Sequence, residues 1–163
     1  MKNKIKQTVF GALIAAAYFV LTWLSSLMGL AYGGIQLRIS EALCVLPAFT
    51  PAAISGLAVG CALANLTSPF GLVDIIFGTV ATAVAALLTR LIARRGLPAW
   101  LIPLPSVVIN ALLVGTEVAI FAAEASVAVF AIAAAETFVG QLAACYGLGL
   151  PLYYFIKSRN LAS

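Results

Sequence analysis

Few side chains in this sequence could do chemistry, and each sits in an apolar setting where it needs a partner. GGIQLRISEAL, residues 33–43, brings Gln36, Arg38 and Glu41 within six positions. Asn65 and Asp74 bracket a turn-rich NLTSPFG, while Asn110, Glu117 and Glu136 interrupt long runs of Ala, Val, Leu and Ile. Carboxylates, amides and a guanidinium can accept, donate and balance charge. The commoner catalytic chemistries are closed to them, because the chain has no histidine. That removes the usual general base, the usual zinc ligand and any Ser-His-Asp or Cys-His arrangement. Cys44, Cys61 and Cys145 stand isolated in apolar runs and read as small buried hydrophobes, so no metal is expected. Neither a Walker-type phosphate loop nor a dinucleotide-binding glycine turn occurs, and neither enzymatic activity nor a cofactor is expected. The chemistry left is reversible recognition of a polar molecule.

The elements that position these groups must be membrane helices. Of 163 residues, 64% are hydrophobic and 9% charged, with a mean hydropathy of +1.14. Ordinary soluble domains carry roughly 45–50% apolar and about 25% charged residues, so most of this chain needs lipid as its solvent. Gln7 to Met28 carries no charge and as a helix spans about 33 Å, enough to cross a bilayer. Its apolar stretch is too long for a signal peptide, despite the preceding lysines. The prolines of PAFTP end one short helix and begin another, NLTSPFG is a second break, and Gly96 with Pro98 a third. The expected fold is an all-α integral membrane protein: one transmembrane domain over 1–163 with six helices near 7–28, 37–49, 51–66, 72–92, 99–122 and 126–156.

Charge sets the expected orientation. With an even number of spans, Lys2, Lys4, Lys6, Arg90, Arg94, Arg95, Lys157 and Arg159 all fall on the side of the two termini. By the positive-inside rule that side is the cytoplasm, and a nucleic-acid partner is not expected despite the net charge of +4. Arg38 is the exception. The five acids fall in the outer half or near midplane, where Gln36, Asn65 and Asn110 join them in what reads as an outward polar pocket. Structural roles compete at several positions. Arg38 and Glu41 could pair with each other. Asp74 could serve a helix N-terminus, Asn65 could cap a loop, and Glu124 reads as a solvated loop residue. Asn110, Glu117 and Glu136 could bond between helices or bind a ligand; Gln141, deeper still, reads as structural. Trp23 and Tyr32 suit an interfacial belt. Phe70 and Phe77 flank Asp74, where a flat ring could stack. On the first helix, Gly11 with Ala15 and Ala12 with Ala16 form two small-xxx-small pairs, suited to close helix approach inside the bundle or against a partner.

GGIQLRISEAL, the stretch LPAFTPAAISGLAVGCALANLTSPFGLVDIIFGTVAT and the basic exit of the fourth helix resemble the queuosine-precursor transporter family (QueT). These are S components of energy-coupling-factor (ECF) transporters. The match covers residues 33–95 and extends more loosely through helix count, Asn110, Glu117 and Glu136. The resemblance implies a substrate-binding S component in the bacterial cytoplasmic membrane. It would work with a transmembrane coupling subunit and two cytoplasmic ATPase subunits, which use the ATP. Its cargo would be a 7-deazaguanine: the nitrile preQ0, the aminomethyl preQ1 or queuine. Substrate contacts would come from Gln36, Arg38, Glu41, Asn65, Phe70, Asp74, Phe77, Asn110, Glu117 and Glu136. Ala12 and Ala16, with Gly11 and Ala15, would meet the coupling subunit. An S component for another vitamin, or a stand-alone proton-coupled carrier using its intramembrane acids, are the alternatives.

Overall fold

The computed structural model describes residues 2–31, 35–68, 71–122 and 126–159. Among them there is no strand, and six helical rods account for nearly everything. The first is α1 (Lys2–Leu27), followed by an inner segment Ile39–Ala48 and by α2 (Ala52–Asn65) and α3 (Leu72–Arg94). A short turn at Ala99–Leu101 leads into α4 (Leu104–Phe121). The last rod joins α5 (Val127–Ala144) to α6 (Leu150–Ser158) through a π-helical turn, Cys145–Gly149. Four rods are long and apolar enough to cross a membrane: Lys4–Leu27, Leu72–Arg94, Ala99–Phe121 and Val127–Ser158. The inner segment and α2 are shorter.

Side chains are distributed as lipid demands. Leu13, Leu72, Ile76 and Val127 are exposed, whereas Thr22, Ser25, Arg38, Glu41, Asn65, Asp74 and Glu117 are buried. In water this arrangement would waste the hydrophobic effect. In a bilayer, polar groups have nowhere else to find partners.

Successive helices α1 to α5 pack side by side, and the inner segment lies among them, touching α1, α2, α3, α5, α6 and the π turn. Sequence predicts a helix at 37–49; the structure makes it 3-10 throughout its ten residues. Pro47 lacks the N–H an α-helical bond needs there. A 3-10 helix rises about 2.0 Å per residue against 1.5 Å, so ten residues reach about 20 Å, and every third residue shares a face. Glu41, Cys44 and Pro47 form one such buried stripe. A 3-10 run this long needs outside support, because its own bonds are poorly aligned. Helix α1 supplies it on one face. Ser25 Oγ accepts from the Ile39 N–H at 2.9 Å, Thr22 donates to Ser40 Oγ at 2.7 Å, and Tyr18 OH donates to Glu41 Oε1 at 2.5 Å. At the other end, Arg90 Nη1 donates to the carbonyls of Pro47 (3.2 Å) and Ala48 (3.0 Å), closing the segment's C-terminus.

Helices α1 and α2 meet through small residues on both sides. A Cβ on Gly56 would sit 2.6 Å from the Gly11 carbonyl oxygen, and one on Gly60 would sit 2.8 Å from that of Ala15. Gly11 and Ala15 are therefore turned inward against α2, while Ala12 and Ala16 are exposed. Only the second of the two sequence-predicted pairs offers its surface to a partner, because residues one apart point about 100° away from each other on a helix.

The two ends of the bundle differ in charge. Gly11 lies beside Ala52, Phe49 packs on the Tyr153 ring at 5.1 Å, Lys157 stands over that ring, and Arg90 holds Pro47 and Ala48. The basic termini of α1, α3 and α6 thus collect at one end. The start of α3, the end of α4 and the chain entering the inner segment meet at the other, where they enclose the polar groups considered next.

Candidate functional site

Two adjoining cavities open at the acidic end. The outer one has a volume of about 260 Å³ and is lined by Gln36, Val73, Asp74, Val114, Glu117, Val118, Phe121 and Ala122. A smaller, deeper one is walled in part by Gln36, Arg38, Glu41, Asn65's neighbours Cys61 and Gly78, Asp74, Asn110 and Gln141. Gln36, Asp74 and Val114 belong to both, so they form the partition between the two.

The deep cavity is a network of satisfied groups. Arg38 donates from Nε to the Ala31 carbonyl at 3.1 Å and from Nη1 to Asn65 Oδ1 at 3.2 Å. The Asn65 amide in turn donates to the Asp74 carbonyl at 2.7 Å. Glu41 accepts from Tyr18 at 2.5 Å and from Asn110 Nδ2 at 3.4 Å. Arg38 and Glu41, three apart in sequence, are each held by groups from elsewhere in the chain: Arg38 by Ala31 and Asn65, Glu41 by Tyr18 and Asn110. Asp74 Oδ2 accepts from the Ser68 hydroxyl, which ties the start of α3 to the loop before it. A Cβ on Gly78 would collide with the Asn65 amide nitrogen, so the bare backbone there lets α3 approach that side chain. Gly140 does the same for the Gln36 backbone, whose carbonyl lies where its Cβ would be. Two glycines therefore position two cavity residues.

Glu117 stands apart. It is 5% exposed, and neither carboxyl oxygen is reached by an N–H or O–H donor among the described residues, while the carboxyl of Asp74 adjoins it. A buried carboxylate left unpaired is expensive, which is why such groups face a cavity or a partner. This one borders the outer cavity, beside Asp74 and surrounded by valines.

The residues expected from sequence divide accordingly. Gln36, Arg38, Glu41, Asp74 and Asn110 line the deep cavity, Asn65 bonds to two of its members, and Glu117 joins Gln36 and Asp74 around the outer one. Glu136 is half-buried and borders neither, and Phe77 is likewise half-buried away from both linings. Phe70, Glu124 and Tyr32 lie outside the described residues. Phe121, exposed at the end of α4, supplies an aromatic face to the outer cavity.

Sequence reasoning missed Tyr18, Thr22 and Ser25, whose spacing of four and three in an apolar helix was a legible stripe. It also set Gln141 aside as structural; the side chain is buried, accepts from the Cys145 thiol at 3.4 Å and lines the deep cavity. Positions 136 and 141 lie about 140° apart around a helix, so they cannot face one cavity together.

Comparison with known proteins agrees with this architecture. A family model described as QueT transporter matches residues 8–158. Over 83 residues the chain is 37% identical to a protein of Lactococcus lactis subsp. cremoris (strain MG1363) named "Queuosine precursor transporter QueT". That alignment takes in 51% of this chain and 48% of the relative, so the chain spans about half the length of the curated relative it matches. No solved structure matches.

Proposed function

The chain belongs to the QueT transporter family, and on that premise we propose that it is the substrate-binding S component of an energy-coupling-factor transporter for a queuosine precursor. The cargo is a 7-deazaguanine taken from outside the cell. A transmembrane coupling subunit and two cytoplasmic ATPases supply the power stroke, and this chain supplies recognition. All six rods span or line the bundle's passage through the membrane, with both termini in the cytoplasm. The gathering of basic residues at one end supports that orientation, and it turns the acidic cavities outward.

The observation that carries the reading is the Glu117 carboxyl: buried, beside Asp74, without an N–H or O–H donor among the described residues, and set in the wall of a cavity of about 260 Å³. Pockets for drug-sized ligands run about 300–1,000 Å³, so this one suits a single fused-ring base better than a nucleotide. The edge of a guanine-like ring presents an N–H and an NH₂ side by side, which one carboxylate accepts as a pair. Amides such as Asn110 and Gln36 provide donors for a ring carbonyl, and Phe121 offers a face on which a flat ring stacks.

Calorimetric titration of the detergent-solubilised chain with preQ0, preQ1, queuine and guanine tests this directly, paired with uptake into liposomes. Tight binding of a deazaguanine, with uptake appearing only when coupling and ATPase subunits are added, is the expected result. Uptake by the chain alone, driven by a proton gradient, would replace the S component with a stand-alone carrier.

A further inference from the structure

The two cavities differ in what they can hold. The outer one has about 260 Å³ and the deep one about 10 Å³. A cavity needs roughly 10–15 Å³ to take one water molecule, so the deep one has room for a single water and for no ring of a solute. Its walls suit water as well as its size does. Arg38, Glu41, Asp74, Thr82, Asn110 and Gln141 line it, each 3–7% exposed. Voids that stay dry inside proteins are apolar, whereas a buried water is held by two to four polar groups. The two carboxyl groups retain capacity for it. Glu41 is reached by Tyr18, Asn110 and Gln141, and Asp74 by Ser68 and the Glu117 carboxyl. A carboxylate has about four acceptor positions, so each keeps at least one.

We propose that the deep cavity is the seat of one resident water molecule. Its two protons go to Glu41 and Asp74, one each, and its oxygen accepts from the Thr82 hydroxyl or the second amide proton of Asn110. Glu41 belongs to the buried network and Asp74 to the partition between the cavities, so this water joins the two. The base then occupies the outer cavity alone, against Gln36 and Asp74. Arg38, Glu41 and Asn110 act on it through the water and the partition, as positioning residues. That consequence rests on the reading of the outer cavity as the cargo's seat; the water itself does not. Relaying a hydrogen bond in this way costs little, because a water-mediated bond is enthalpically nearly as good as a direct one.

Crystals of the full chain grown with and without preQ0, diffracting finely enough to place solvent, test the inference without any substitution. One water peak within hydrogen-bond distance of both Glu41 and Asp74, present in both crystals, is expected. A dry void in the free chain overturns the proposal, and so does an ion held there by a shell of short oxygen contacts. An atom of the base in place of the water overturns it too, since the deep cavity would then belong to the cargo. Thr82→Val keeps the shape of the wall and removes its hydroxyl. Oxygen-17 relaxation dispersion of the detergent solution, which counts long-lived internal waters, should find fewer in this variant than in the unsubstituted chain. The affinity for preQ0 should fall about two- to tenfold, the scale of one hydrogen bond. Equal water counts overturn the assignment to this cavity, and unchanged affinity with the water lost overturns its part in recognition. Failure of every deazaguanine to bind would overturn the cargo reading, and the free-chain crystal would still decide for or against the water.

Discussion

Two kinds of residue build the candidate site, those that present chemistry and those that make room for it. Glu117 and Asp74 belong to the first kind, Gly78 and Gly140 to the second. In a membrane bundle the second kind matters as much, since helices approach closely only where side chains are small. Gly140 is a sharp case, because the Gln36 carbonyl occupies the space a methyl group would need. Alanine is favoured over glycine inside a helix by about 0.8–1 kcal/mol, so Gly140→Ala would stabilise α5 if propensity alone decided. The expected outcome is the opposite: Gln36 is displaced, cargo affinity falls, and the thermal midpoint in detergent does not rise. A variant that melts higher and binds unchanged would mean that Gln36 contributes nothing to the site.

Among elements, the inner segment is the one the bundle is organised around. Its first residues hang on Tyr18, Thr22 and Ser25 of α1, and its last carbonyls hang on Arg90 of α3. Glu41 at one end and Pro47 at the other share a face of the same rod, so the acidic cavity and the basic end are joined by a single stiff piece of backbone. Removing the Arg90 contacts should loosen it. Arg90→Met keeps much of the apolar stem but deletes both donors, and a loss of about 1–3 kcal/mol is expected for exposing buried carbonyls without partners. Thermal melting in detergent measures this; Arg90→Lys should recover only part, as an ammonium lacks the planar fork. An unchanged midpoint in Arg90→Met would show the segment to be held by α1 alone.

For the molecule as a whole, the outer surface of α1 is the feature with a testable consequence. Gly11 and Ala15 are spent on α2, whereas Ala12 and Ala16 remain open to the surroundings. If that face docks on a coupling subunit, Ala12→Trp with Ala16→Trp leaves cargo binding by the isolated chain intact and abolishes uptake by the assembled transporter. Calorimetry and liposome uptake on the same preparation separate the two. Uptake surviving the double substitution would move the docking face elsewhere.

The sequence by itself determined the solvent, the six rods and the breaks between them. Those follow from composition and from prolines and glycines, which act on their own stretch of backbone whatever surrounds them. It also singled out the charged and amide side chains that the bundle buries, such as Arg38, Glu41, Asn65, Asp74 and Glu117, since in so apolar a chain each is conspicuous; the hydroxyls of Tyr18, Thr22 and Ser25 passed unnoticed. Tertiary structure alone decided which way they face. A soluble helix announces its inner face by a polar stripe on the other side; here every face is apolar, so nothing local distinguishes the side towards lipid from the side towards a neighbour. That is why Gln141 rather than Glu136 reaches the deep cavity, why Gly11 turns inward and Ala12 outward, and why the segment after Arg38 becomes a long 3-10 rod. Its geometry is imposed by Tyr18, Thr22, Ser25 and Arg90, partners that adjoin it in space and not in sequence.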